Sequence, residues 1–338
     1  MATFVCSRRL IFCNKASSGT ILTNFCNRYI ASSNSQSTET DNPDQSHCRE
    51  LVKSRDYDNY LCTLLLPADV RTQMFAIRAL NVELSMVRNQ IQRYSGTADV
   101  YRLQFWRDTI DALFVADKKP LPRQPCVRAL HPVCAEHSWL HAHLQRLLTA
   151  RQRTLGDRPF RDVADVSAHG HEIQGTLMLV AIEFLRRSSL FRLRPRIPVP
   201  DQDPCTSVVT NLSAAMGIST LLRSVAPLRA SGVVLLPESL MIRHNLTQEQ
   251  FFSSARPTEL KPLVTSLHSR ANRCLNDARS KVSTIESCLR PALLPAVTAD
   301  LFLRRLESVD FDLFSSKLQQ PYPLLAWKLL FKKLNGTV

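Results

Sequence analysis

The sequence predicts an all-α protein, a single helical bundle, and three observations carry that reading. Apolar residues recur at intervals of three and four, and no run keeps the alternation of a half-buried strand. Only 8 of the 338 residues are glycine, well below the usual share of ~7%. Hydrophobic residues make up 44% of a chain long enough to bury a full core.

The chain opens with MATFVCSRRLIFCNKASSGTILTNFCNRYIASS, which holds Arg8, Arg9, Lys15 and Arg28 and no acid. Its apolar stretches are too short and interrupted for a secretory signal. An acid-poor leader with Arg and Ser is the pattern of a mitochondrial transit peptide, expected over 1–33. Residues 34–47, NSQSTETDNPDQSH, read as a disordered polar linker. The folded domain is therefore expected over 48–335.

Within that domain, Val70, Met74, Ile77, Leu80, Leu84, Val87 and Ile91 form one stripe of a helix over 68–91. Further helices are expected over 99–115, 133–153, 160–187 and 205–226. Breaks fall at DKKPLPRQP (117–125), at RLRPRIPVPDQDP (192–204) and around Gly232–Pro237. A short helix over 247–253 starts with Thr247-x-x-Gln250, the spacing of a capping box. The clearest seam is 263–289, with Leu263, Leu267, Ala271, Cys274, Ala278, Val282, Ile285 and Leu289 on one face. Helices over 291–308 and 322–334 close the chain. No apolar run reaches the ~18 residues expected of a membrane span.

The residue inventory excludes several chemistries. No G-x-G-x-x-G, no G-x-x-x-x-G-K-[ST] and no G-x-S-x-G occurs. The 10 cysteines include no C-x-x-C, so they read as reduced, buried thiols. Cys134, His137 and His141, near His131 and His143, have the i, i+3, i+7 spacing of a metal site on one helix face. No second cluster completes such a site, and packed histidines account for the run. Asp108 and Asp111 could face a diphosphate through Mg²⁺, or pair with Arg102 or Arg107 on a solvated face.

The net charge is +14. Residues 1–50 contribute +1, leaving +13 on the body. That balance suggests an anionic partner, such as phospholipid headgroups, a diphosphate or RNA, or else a basic pI suited to a slightly alkaline compartment. Arg186, Arg187, Arg192, Arg194 and Arg196 crowd one stretch, but Phe191 is its one aromatic. Nucleic acid is accordingly not expected as a partner.

Three stretches carry a resemblance to a known family. ISTLLRSVAPLRASGVVLLP keeps Leu221, Leu222, Arg223, Val225, Gly232, Leu236 and Pro237 of the second signature of squalene/phytoene synthases. MFAIRALNVELS keeps Phe75 and Arg78 of the first signature, and RDYDNYLCTLLLPADVR resembles the opening helix through Tyr57, Tyr60, Leu66, Pro67 and Arg71. With the leader, the chain is most similar to the mitochondrial branch of that family, the complex I assembly factor 6 type. The resemblance implies an isoprenoid-synthase-like bundle with an apolar cavity able to take a lipid or isoprenoid tail. It also implies a matrix-side, peripheral inner-membrane location, with complex I subunits or other assembly factors as partners.

The departures from the family pattern bear on chemistry. Asn81 and Ser85 stand at the two Asp positions of the first signature, and Ser224, Pro227 and Leu228 at the acidic positions of the second. Diphosphate ionisation in this family needs Mg²⁺ bridged by carboxylates, and Asn and Ser are poor ligands alone. A non-catalytic protein without cofactor or metal is expected, an assembly factor for respiratory complex I. The alternative is an active prenyltransferase using Glu83, Asp108 or Asp111 as substitute ligands. Finally, PYPLLAWKLLFKKLNGTV combines an apolar face (Leu324, Trp327, Phe331, Leu334) with Lys328, Lys332 and Lys333. Trp327, Lys328, Phe331 and Lys332 are expected to touch a membrane surface; the competing expectation is that this helix closes the bundle.

Overall fold

Helix α1 (Pro43–Arg55) begins five residues ahead of the expected Cys48, because Asn42 accepts the Asp44 N–H at 3.0 Å and Pro43 fits the first helical position. The computed structural model describes residues 42–87, 96–115, 120–155, 158–188, 203–253 and 257–337. The leader and the linker up to 41 lie outside the described residues, as do 189–202 with most of the arginine tract. Cys48 and Val52 on α1 are fully buried in the core, and Arg128 holds Asp44 at the start of the helix.

Asp56 separates α1 from α2 (Tyr57–Leu64), and Pro67 leads into α3 (Ala68–Met86). The stripe predicted along α3 is buried from Val70 to Val87; Ile91 is outside the described residues. Helix α4 (Gly96–Phe114) turns Leu103, Trp106, Ile110 and Leu113 inward. The single helix expected over 133–153 is instead two, α5 (Pro125–Glu136) and α6 (Leu140–Arg153). The chain leaves helical geometry at His137 (φ −134°, ψ 76°). Pro125 at the first helical position starts α5 eight residues early.

The helix expected over 160–187 starts at Asp162, whose carboxylate accepts the Asp165 N–H at 2.8 Å. It runs as α7 (Val163–Gly170), a π turn (His171–Gly175) and α8 (Thr176–Arg187). The π turn folds the His171 ring over Gly175, where a Cβ would lie 2.6 Å from Nδ1. His171 Nδ1 also meets Ser213 Oγ at 3.2 Å. A wide turn is a common interruption at functional sites.

Helix α9 (Pro204–Ala230) is the axis of the bundle, packed against α7, α12 (Pro257–Lys281) and α13 (Pro295–Ser308). Its middle turns, residues 212–219, are buried on every side, while Thr206, Thr210 and Arg223 reach solvent nearer the ends. By length and composition α9 could cross a membrane, but 72% of its apolar window is buried inside the protein. The expectation that no such run exists is corrected by α9, whose interspersed Ser and Thr bond back to its own carbonyls. Helix α9 also continues past its expected end at 226, through Pro227, and stops at Gly232 (φ 65°). Gly170 and Gly217 let α7 and α9 touch backbone to backbone: a Cβ on Gly170 would sit 2.5 Å from Ser213 O and 2.8 Å from Gly217 Cα.

Helix α10 (Glu238–Arg243) precedes α11 (Gln248–Ser253), whose reciprocal Thr247–Gln250 bonds at 2.9 and 3.1 Å form the expected capping box. The seam over 263–289 is buried throughout, although the α-helix ends at Lys281 and a tighter turn follows. Asp300 on α13 is held by Arg279 at 2.8 Å and Arg304 at 3.0 Å. The last helix, α14 (Leu325–Asn335), seats Leu325 and Leu329 on Leu61, Cys62, Leu294 and Val297. Among the described residues there is no strand, and the described cysteines are free, six of the seven being buried. Burial pushes the thiols of Cys134 and Cys205 up to about 12, so they are unreactive.

Candidate functional site

Helical spacing places Arg78, Asn81 and Ser85 at i, i+3 and i+7 along one face of α3. All three are buried, at 4%, 1% and 4% exposure. Asn81 Oδ1 accepts a hydrogen bond from Arg151 Nη2 of α6 at 3.0 Å. Ser85 Oγ donates to its own helix at Val82 O, 2.7 Å. On α9, Ser224 Oγ does the same to Leu221 O, also at 2.7 Å. Pro227 and Leu228 continue that helix with no polar side chain, and Leu228 is buried.

Asp56 draws the two stretches together. It is attracted by Arg78 from α3 and by Arg223 from α9, and Asn59 donates to it at 2.9 Å. Burial outweighs these, so the Asp56 carboxyl is held above its ordinary value. Arg223 itself reaches Asp58 on α2 at 3.4 Å. The Arg78 guanidinium is lowered by burial, and its Nε and Nη1 have no hydrogen-bond partner.

A cleft follows beyond Asn81, lined by Arg151, His169, Ile173, Gln174, Gly217 and Thr220. Its accessible volume is ≈ 10 Å³, about that of one water, so an isoprenoid tail does not fit in it. Thr220 Oγ1 is committed to Met216 O at 2.8 Å. Burial, reinforced by Arg151, pushes His169 down to about 2, so the ring is neutral.

These positions do not fit a Mg²⁺ site. The amide oxygen of Asn81 is engaged by a cation, both serine protons point along their own helices, and no carboxylate lines the cleft. The substitute carboxylates lie elsewhere. Glu83 is on another face of α3, raised by burial and offset by His47 of α1. Asp111 is taken by His141 at 2.7 Å and Gln145 at 2.6 Å across the α4–α6 contact. Asp108 accepts from Gln104 at 2.8 Å. The arginine partners expected for these two acids are thus replaced by Gln and His.

The spacing of Cys134, His137 and His141 is broken by the α5–α6 turn, so they do not share a helix face. Cys134 is buried, and His137 packs edge-on to Phe184 with ring centroids 5.2 Å apart. Among the described residues no group of three His, Cys, Asp or Glu is placed to hold a metal. Of the arginine tract, Arg186 pairs with Asp203 at 2.7 Å and Arg187 with Glu183 at 2.6 Å.

Arg151, His169 and Gln174 were not singled out from the sequence. Arg151 had a readable signal: it continues the stripe Leu140, Leu144, Leu147, Leu148 by three and so lies on an apolar face.

The fold and its helix faces define the isoprenoid-synthase class of all-α bundle. The match to a solved dehydrosqualene synthase bears this out, with a TM-score of 0.67 at 18% identity, covering 87% of this chain and 96% of that one. The chain belongs to the squalene/phytoene synthase family, which it matches over residues 52–328. It is similar to assembly factor 6 of NADH dehydrogenase (ubiquinone) complex I from Homo sapiens, 29% identical over 86% of this chain and 82% of that protein. The Drosophila melanogaster homologue is 30% identical over 85% and 83%.

Proposed function

We propose that this protein is a non-catalytic assembly factor for respiratory complex I, acting in mitochondria on the matrix side of the inner membrane. Its partners in this reading are complex I subunits or other assembly factors. Its relatives named for complex I assembly support the process. The observation that carries the non-catalytic part is the Asn81–Arg151 hydrogen bond. Where the family resemblance places a carboxylate for Mg²⁺, a neutral amide is locked to a buried cation. In this reading the Asp positions of both signatures have been lost, and among the described residues no carboxylate lines the cleft beside them.

Depletion of the protein is expected to lower assembled complex I while leaving the other respiratory complexes intact. Purified protein given farnesyl diphosphate and Mg²⁺ is expected to release no pyrophosphate above a heat-treated control. Normal complex I in depleted cells overturns the assembly role. Mg²⁺-dependent release overturns the non-catalytic reading and favours a prenyltransferase.

Peripheral membrane contact is part of the same proposal, and α14 supports it. Its inner face closes the bundle through Leu325 and Leu329, while Leu324, Phe331 and Leu334 are 66%, 61% and 69% exposed. Trp327 is half-buried beside them, Lys328 and Lys333 are exposed, and Lys332 is partly covered. In this proposal the inner face closes the bundle and the outer face meets the membrane. Burial, reinforced by nearby Arg279 and Arg71, lowers Lys332 and Lys333, and Lys328 stands exposed beside them, so basic side chains rim this apolar face. A rim of that kind attracts anionic lipid. Wild-type protein is expected to float with vesicles containing anionic phospholipid at low salt. A Phe331→Ser, Leu334→Ser variant should lose at least about ten-fold in partitioning, or ~1.4 kcal/mol. Equal flotation of the two would remove α14 from the proposal.

A further inference from the structure

Helix α4 carries two apolar seams, and the bundle uses one of them. Leu103, Trp106, Ile110 and Leu113 face inward and are buried. On the outward side Tyr101, Phe105, Asp108, Ala112 and Val115 follow steps of four, three, four and three, the spacing of a coiled-coil seam. Val115 stands just past the end of the helix. Tyr101, Phe105 and Val115 are 74%, 38% and 59% exposed, and Ala112 is half-buried.

Period and charge together say what fits there. A seam with this spacing is matched by another helix, whose apolar residues pack against Tyr101, Phe105, Ala112 and Val115. Its charged position sets the sign. Asp108 interrupts the seam, is exposed, and accepts from Gln104 at 2.8 Å. Asp111 lies one turn on at the seam's edge and stays half-exposed, although His141 and Gln145 bond to it. Arg102 is exposed on the other flank. A polar residue inside a seam fixes register and selects the partner. Covering Asp108 without a counter-charge is unfavourable, and a lysine or arginine opposite it removes that cost. The net charge of +13 on the body repels a basic partner, but at physiological salt such charges are screened beyond ~8 Å. At contact the acids of α4 therefore decide.

We propose that the outward seam of α4 is the docking face for an amphipathic helix of a partner protein, one that carries a lysine or arginine at the level of Asp108 among its apolar residues. The proposal rests on the reading of this protein as an assembly factor and adds a chemistry for its partner. It also divides two surfaces between two kinds of contact. The basic rim of α14 serves lipid, and the acid-bearing seam of α4 serves protein.

The probe is a synthetic amphipathic peptide of leucine and lysine, compared with its counterpart in which every lysine is glutamate. Each is titrated with the full chain at physiological salt and followed by fluorescence anisotropy. Saturable binding of the lysine peptide is expected, weakened at least about ten-fold, ~1.4 kcal/mol, in Asp108→Lys and in Tyr101→Ser. Both side chains are exposed, so both variants are expected to unfold at the wild-type temperature. The glutamate peptide, drawn to basic surface elsewhere, should bind wild type and variants alike. No binding of the lysine peptide, or equal binding by wild type and variants, overturns the proposal. Glutamate-peptide binding that falls in Tyr101→Ser overturns it as well, since the seam then takes an acidic partner. In depleted cells, wild-type protein is expected to restore assembled complex I and Asp108→Lys to leave it low. Full restoration by Asp108→Lys overturns the proposal and leaves the assembly reading standing. Complex I that stays normal on depletion overturns the assembly reading, and the peptide titration then decides the seam by itself.

Discussion

Gly170→Ala is expected to destabilise the protein by about 2 kcal/mol or more, and Gly217→Ala by a similar amount. A single methyl group in a helix interior normally does the opposite, since alanine is the better helix former by ~1 kcal/mol. Here the added carbon has nowhere to go. At 170 it would lie 2.5 Å from Ser213 O and 2.8 Å from Gly217 Cα; at 217 it would lie 2.7 Å from Gly170 Cα and 3.0 Å from Val166 O. Every one of these neighbours is main chain, so no side chain can rotate aside. Helices α7 and α9 must separate, and α9 is the axis on which α12 and α13 also pack. Urea unfolding measures the effect as a lower midpoint at unchanged slope. An unchanged or raised midpoint in both variants would mean that the crossing is loose.

Acidification from pH 7 to pH 5 is expected to remove about 2 kcal/mol of stability through His169 alone. Burial holds its folded-state value near 2, while the unfolded value is 6.5. Between those limits the unfolded chain binds a proton that the native chain cannot. Stability is therefore full above about pH 6.5 and falls by ~1.4 kcal/mol per unit below it. The loss at pH 5 depends on the unfolded value, provided that the folded one lies well below 5. His137, His143 and His171 are also lowered by burial and act in the same direction. The difference between wild type and His169→Gln isolates one residue. Parallel stability curves for the two between pH 7 and 5 would show that His169 titrates normally in the native protein.

Helix content and the buried seams were legible because core helices write their period into the sequence. The seam on 263–289 shows where that legibility ends. All eight of its residues are buried, but Val282, Ile285 and Leu289 are buried from a tighter turn and a loop. Periodicity reports which residues face inward, not which backbone carries them there. Prolines misled in both directions. Pro227 stops nothing, because α9 is packed on its neighbours and needs no perfect ladder. Pro125, assigned to a break, starts α5. The π turn at His171–Gly175 left no trace in apolar spacing. At the site, Asn81, Ser85 and Ser224 could be found only through a family resemblance. What they bond to could not, since Arg151 comes to Asn81 from 70 residues away.

The Asn81–Arg151 bond also limits what position 81 can become. Suppose aspartate stood there. Its carboxylate would arise within hydrogen-bonding distance of a guanidinium already pointing at the Oδ1 position. It would form an ion pair there, and an acid neutralised by a fixed cation has little left to offer Mg²⁺. Making position 81 a metal ligand thus requires two coordinated changes, the second being removal of Arg151. The hydrogen bond thus makes what position 81 can do depend on what stands at position 151.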